Sequence, residues 1–140
     1  MKVERTALAH ISFTSIGTIL LAWYCLSRPL SPARAVGLGL AILAFALWAT
    51  ARLQIGASFS VQPKAKVLVT HGIYSRIRNP IYIFGMVWIV GLILAIGEPW
   101  LLLIVLVLAP MQVVRAKREA SVLEAKFGDQ YRAYQRRTWF

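Results

Sequence analysis

The chain has 140 residues, 59% of them hydrophobic, a mean hydropathy of +0.64 and a net charge of +11 from 16 Lys and Arg against 5 Asp and Glu. That is too apolar for a water-soluble single domain of this size and points to an integral membrane protein. The basic residues cluster at the ends of apolar runs rather than along one face, which argues against nucleic acid as partner and for charge that sets membrane topology.

The first apolar run, Leu8 to Leu26, follows Lys2, Glu4 and Arg5. Its length, about 19 residues or roughly 28 Å of helix, suffices to cross a hydrocarbon core. It is too long for a signal-peptide core and no small-residue cleavage site follows it before Arg28 and Pro29, so it reads as an uncleaved first span. His10, Ser12, Thr14, Ser15 and Thr18 make its first half polar, a pattern more often tied to helix contact than to catalysis. The lone Cys25 excludes an intramolecular disulfide, and its apolar setting makes it a poor nucleophile.

After a proline-containing connection, Arg28 to Arg34, a second span is predicted over 35–51, where Gly37, Gly39 and many alanines permit close helix approach. Residues 52–80 form a long cytoplasmic loop whose apolar content, including Ile55, Phe59, Val61 and Val67 to Val69, predicts a packed, functional segment. The apolar stretch from Ile81 to Val114 would extend about 50 Å as one helix, so Gly97, Glu98 and Pro99 must turn a hairpin between spans over 81–97 and 100–114. Pro110 is expected to kink the fourth span. The tail, 115–140, reads as two helices, the first ending at Gly128 and the second capped by Asp129.

Lys and Arg number two at the N-terminus, two in the first connection, five in the long loop, none in the second connection and seven in the tail. Fourteen of the 16 share one side if the N-terminus is cytoplasmic. The expected fold is therefore all-α: one polytopic membrane domain over 1–140, four transmembrane helices, both termini cytoplasmic and a cytoplasmic helical tail.

Several chemistry-bearing residues converge on that cytoplasmic face. Asn79 and Pro80 read as the cap and first position of a helix whose unpaired N–H groups and dipole favour an anion. Arg76 and Arg78 precede it, Gly72, Tyr74 and Tyr82 bracket it, and His71 lies nearby. Arg115, Glu119, Leu123 and Phe127 recur every four residues and share one helix face. Each has a bland reading: positive-inside arginines, interfacial aromatics such as Tyr74, Tyr82 and Trp139, a loop histidine, an exposed ion pair. The hairpin brings the start of span three and the end of span four to one place, which favours a pocket open sideways to lipid. No metal-ligand cluster, P-loop or GxGxxG pattern is present in the sequence, and no metal is expected.

Two blocks carry a resemblance. L-V-x-x-G-x-Y-x-x-x-R-N-P-x-Y-x-x-G runs from Leu68 to Gly85, and R-x-x-x-E-x-x-x-L-x-x-x-F-G-x-x-Y-x-x-Y from Arg115 to Tyr134. Together, with a membrane hairpin between them, they resemble the isoprenylcysteine carboxyl methyltransferases and the related phospholipid methyltransferases. The resemblance implies S-adenosylmethionine at the cytoplasmic face, lined by Gln62, Lys66, Val67, Leu68, Val69, Tyr74, Asn79, Pro80, Ile81, Tyr82 and Glu119. It implies that Arg115 faces the acceptor carboxylate, with Arg115 and Glu119 the residues of the reaction. Two positions depart from the family pattern: Asn79 stands where many members have histidine, and Ala120 where many carry a second glutamate, so Glu119 stands alone.

The function these features favour is methyl transfer from S-adenosylmethionine to a carboxylate of a lipid-linked or hydrophobic acceptor, by a multi-pass protein of the bilayer (the inner or plasma membrane if bacterial). The alternatives are N-methylation of a phospholipid amine and a non-enzymatic four-helix scaffold or transporter. Coupled transport is disfavoured because Glu98, the one acidic candidate near the membrane interior, sits in the hairpin turn.

Overall fold

The computed structural model describes residues 2–27, 29–55 and 68–139, and of these the side chains from residue 11 onward. Gln62, Lys66, Val67, Phe59, Val61 and the side chain of His10 lie outside what is described. The elements are α1 (Lys2–Leu26), α2 (Pro32–Ile55), a 3₁₀ turn (Gly72–Ser75), α3 (Pro80–Ile96), a second 3₁₀ turn (Pro99–Leu101), α4 (Leu102–Phe127) and α5 (Asp129–Arg137). The architecture is all-helical; among the described residues the one extended pairing is a parallel bridge between Ile77 and Trp139.

Two of these helical stretches, Pro32–Ile55 and Pro99–Phe127, are long and apolar enough to cross a membrane, while Ile11–Leu26 and Pro80–Ile96 are apolar but shorter. Phe13, Ile16, Ile19, Leu20 and Trp23 of α1 and Leu103, Leu106, Val107 and Met111 of α4 point away from the rest of the chain. Such continuous apolar surface suits lipid rather than water.

The hairpin forms where Gly97, Glu98 and Pro99 predict it. Gly97 ends α3 at φ 84°, a left-handed conformation that favours glycine, and its N–H reaches the carbonyl of Ile93 at 3.1 Å. α2 is longer than expected. It continues through Arg52 and Gln54 to Ile55, since neither glycine nor proline interrupts residues 52–55. α4 is one helix through Pro110 and across the expected membrane boundary to Phe127.

Although α3 and α4 are joined by the hairpin, the most extensive helix pairing is α2 with α3. Small residues explain it. A Cβ on Gly37 would lie 2.5 Å from the Ala95 nitrogen, and one on Gly91 would lie 2.6 Å from the Ala41 nitrogen. Ala41, Ala44 and Ala95 are buried along the same seam. Gly39, expected to share in this approach, opens onto space with nothing within 4 Å; it sits on the wrong side of the helix. Deeper in the same pair, the rings of Phe45, Trp48 and Trp88 cluster with centroids 5.7 to 6.4 Å apart.

α1 is held at its C-terminal end. The Arg34 guanidinium donates to the carbonyls of Ala95 (2.9 Å), Pro29 (3.0 Å) and Cys25 (3.5 Å), joining the ends of α1 and α3, and the buried Cys25 thiol donates to the same Ala95 oxygen at 3.3 Å. A cation at two helix C-termini meets both dipoles favourably. The hydroxyls of Thr14, Ser15 and Thr18 donate to carbonyls of Ile11 and Thr14 in their own helix, which satisfies them in an apolar setting; Thr18 is buried.

Candidate functional site

At the end of the bundle away from the hairpin, α3 begins and α4 passes it. The helix starts at Pro80 as expected, with proline at the position where a missing N–H costs nothing. Asn79 occupies the cap position, yet its side chain makes no capping hydrogen bond. Its φ of −122° and ψ of 56° lie outside the extended conformation that aims a cap side chain at the helix, and the Asn79 backbone carbonyl instead accepts the N–H groups of Tyr82 (3.1 Å) and Ile83 (3.2 Å).

One turn into α3, the buried Tyr82 hydroxyl donates to Glu119 Oε1 on α4 at 2.5 Å, the length of a charge-assisted bond. The Arg115 guanidinium lies 5.8 Å from the centroid of the same ring, a cation–π distance. Arg115 and Glu119 thus project together, as their spacing predicts, and they meet on Tyr82. Leu123 and Phe127 continue that face, half-buried, while Lys117, Arg118, Ser121 and Lys126 face outward.

Tyr74, from the 3₁₀ turn, enters the group with 5% of its surface exposed. Its hydroxyl is buried and finds no hydrogen-bond partner among the described residues. Burial, reinforced by Tyr134 and the Glu119 carboxylate, pushes this phenol well above the ordinary range, with the Arg52 charge opposing. Arg52 itself is 4% exposed near the end of α2, so a second cation stands close to this tyrosine. Pro80 is buried, Leu68, Val69, Asn79 and Ile81 are half-buried, and His71 is exposed at the start of the turn.

The turn is fixed to α2. Gln54 Oε1 accepts the Ile73 N–H at 2.9 Å, and its carboxamide packs against Gly72, whose φ of 60° and lack of Cβ permit the contact. α5 closes the far side. Its cap is Gly128, whose carbonyl accepts the N–H groups of Tyr131 and Arg132 at 3.1 Å, so Asp129 is the first helical residue rather than the cap. The Tyr134 hydroxyl donates to the Tyr74 carbonyl at 2.8 Å, and burial pushes its own phenol up to about 12. Arg78 is close enough to Tyr131 and Tyr134 for its charge to oppose that rise in both.

The family model for phospholipid methyltransferases matches residues 32–130, from the start of α2 into α5. The chain belongs to the phospholipid methyltransferase family. It is also 34% identical over 106 residues to a protein-S-isoprenylcysteine O-methyltransferase of Schizosaccharomyces pombe, a match covering 71% of this chain and 45% of that protein. The chain therefore spans less than half the length of this curated relative.

Within this methyltransferase-family chain, both sequence blocks meet at one end: Tyr74, Pro80 and Tyr82 from the first, Arg115, Glu119, Tyr131 and Tyr134 from the second. Sequence reasoning missed Arg52 and Gln54, because the segment holding them reads as loop once α2 is ended at Ala51. It also missed Gly91 as the partner of Gly37. Tyr134 carried a signal as the last tyrosine of the second block, with no indication of what its hydroxyl would hold.

Proposed function

We propose that this chain is a single-domain, multi-pass membrane methyltransferase that uses S-adenosylmethionine and acts on a carboxylate of a lipid-linked or hydrophobic acceptor. The observation that carries the reading is the Tyr82, Glu119 and Arg115 group, in which a negative and a positive side chain share one aromatic ring at the helix start. In the proposed topology four helices cross the bilayer, both termini are cytoplasmic and this group faces the cytoplasm, following the Lys and Arg distribution.

The residues present fit the donor. The buried Tyr74 hydroxyl lacks a hydrogen-bond partner among the described residues, and the Glu119 carboxylate matches a cationic ligand. When bound, S-adenosylmethionine supplies an electrophilic methyl group on a sulfonium. In the proposed arrangement Glu119 binds the positively charged portion of the donor, with Leu68, Val69, Tyr74, Asn79, Pro80, Ile81 and Tyr82 lining it, and with Gln62, Lys66 and Val67 from the preceding segment. Arg115 orients the acceptor carboxylate by a paired contact. A carboxylate oxygen is already a nucleophile, so no general base is needed, and positioning accounts for up to about 7 to 11 kcal/mol of the barrier. Tyr74 and Tyr82, both buried, keep water from the reacting atoms. The acceptor's apolar portion lies among the lipid-facing helices.

A second reading, methylation of a phospholipid amine, is favoured by the description of the matching family model. An amine must lose a proton before attack, which assigns Glu119 or His71 the task of accepting it. Methyl esters are cleaved by mild base and N-methyl groups are not, so treating the labelled product with base separates the two. The deciding experiment for the reading as a whole is calorimetric titration of the detergent-purified protein with S-adenosylmethionine, for wild type and Glu119→Gln. Micromolar binding that the substitution abolishes supports it. A folded wild type that does not bind leaves a scaffold related to the family by ancestry.

A further inference from the structure

The C-terminal segment makes a set of contacts that the chemistry above does not use. α5 follows α4 directly and carries Tyr131, 1% exposed, and Tyr134 on its inward face. Tyr134 reaches back sixty positions to the Tyr74 carbonyl in a buried hydrogen bond. Beyond α5, Thr138 is extended (φ −119°, ψ 150°), and Trp139 pairs with the chain beside Ile77. The Trp139 N–H donates to the Arg76 carbonyl at 3.1 Å, and its carbonyl accepts the Arg78 N–H at 3.5 Å. The Trp139 side chain is 68% exposed, so its backbone makes the connection.

These contacts fall on one short piece of chain. Residues 76–79 belong to no helix and lead straight into Pro80, and a segment without regular structure needs outside partners for its backbone groups. Gln54 anchors the 3₁₀ turn just before it to α2 through Ile73, and residues 134–139 hold the Tyr74 carbonyl of that turn and the Arg76 and Arg78 backbone from the other side. The same α4 and α5 unit thus presents Glu119 to Tyr82 and grips the turn that carries Tyr74.

We infer that Tyr134 and the Trp139 backbone are positioning residues, a C-terminal clamp that holds the Tyr74 to Arg78 segment so that Tyr74 and the start of α3 stay registered against Glu119. This rests on the methyl-transfer reading, since the clamped segment leads into the proposed donor site. The clamp acts through the segment and touches neither donor nor acceptor.

The test uses the full chain in detergent micelles with two disrupting substitutions and one control. Tyr134→Phe removes one hydroxyl and keeps the ring. Trp139→Pro removes the N–H that bonds Arg76, and the extended Thr138 before it is the conformation proline prefers in its predecessor. Trp139→Ala keeps that N–H and controls for loss of the side chain. Amide hydrogen exchange without ligand is expected to quicken in residues 70–79 for Tyr134→Phe and Trp139→Pro, with α2 and α3 unchanged, and to stay at the wild-type rate for Trp139→Ala. S-adenosylmethionine affinity should fall by about 3- to 10-fold in the first two, the effect of one lost hydrogen bond, with KM for the donor rising in step and kcat at saturation retained. Exchange that quickens across the whole bundle, or a local change with no loss of affinity, overturns the inference. A folded wild type that does not bind S-adenosylmethionine instead sinks the methyl-transfer reading, and the local exchange pattern then still decides whether Tyr134 holds the turn.

Discussion

Two glycines of α2, two positions apart, should respond in opposite directions to the same added methyl group. On Gly37 a Cβ would stand 2.5 Å from the Ala95 nitrogen, 2.6 Å from Leu94 Cβ and 2.8 Å from the Leu94 carbonyl carbon. Two of these three atoms are backbone, so no side-chain rotation relieves the overlap. Carbon contacts are comfortable at about 3.5 to 4.0 Å, so α3 must retreat by roughly 1 Å, which loosens the seam that Ala41, Gly91 and Ala95 share. Overpacking of this kind costs about 1 to 3 kcal/mol, and the roughly 1 kcal/mol that alanine gains over glycine within a helix does not offset it at the upper end. Gly39 has nothing within 4 Å, so there the helix-propensity gain stands alone. Thermal unfolding in one detergent should place Gly37→Ala below wild type and Gly39→Ala at or above it. If Gly37→Ala unfolds at the same temperature as Gly39→Ala, the α2 and α3 seam is not packed as described.

Tyr82→Phe removes the donor to Glu119 while keeping the ring under Arg115. It should cost about 1.5 to 3 kcal/mol of stability, and combining it with Glu119→Gln should cost less than the two separate losses together; strict additivity in unfolding measurements would show that the two groups do not interact. Alkaline pH should also unfasten the clamp. The Tyr134 phenol is raised from an ordinary 10.0 to about 12 by burial, so its contribution is complete below about pH 10 and is lost as pH rises through 12, when ionisation removes the proton it gives to the Tyr74 carbonyl. Melting followed from about pH 9 to 12 should show a shallower decline in Tyr134→Phe than in wild type. Equal declines would mean that other groups govern the alkaline transition.

Local rules made much of this molecule readable in one dimension. A run of apolar residues longer than a bilayer must turn, and glycine followed two positions later by proline says where, so the hairpin at Gly97 to Pro99 was legible. Pro80 marked the start of α3, four-residue spacing put Arg115, Glu119, Leu123 and Phe127 on one face, and Gly128 marked the division of the tail. Each depends on backbone geometry within a few residues, which the side chains themselves dictate.

Tertiary structure decided what local chemistry leaves degenerate. Gly37 and Gly39 are equivalent as sequence, yet only Gly37 faces α3, because about 100° of helix rotation per residue separates their directions by about 200° and the partner's position is not written in α2. Asn79 and Asp129 have good cap chemistry, but the backbone carbonyls of Asn79 and Gly128, not those side chains, accept N–H groups at the two helix starts. That Arg115 and Glu119 both meet a third group was decided by where Tyr82 arrives from α3. Tyr134 and Tyr74 lie sixty residues apart, and no short-range pattern specifies a hydrogen bond whose partners meet only after α2, α3, α4 and α5 have packed.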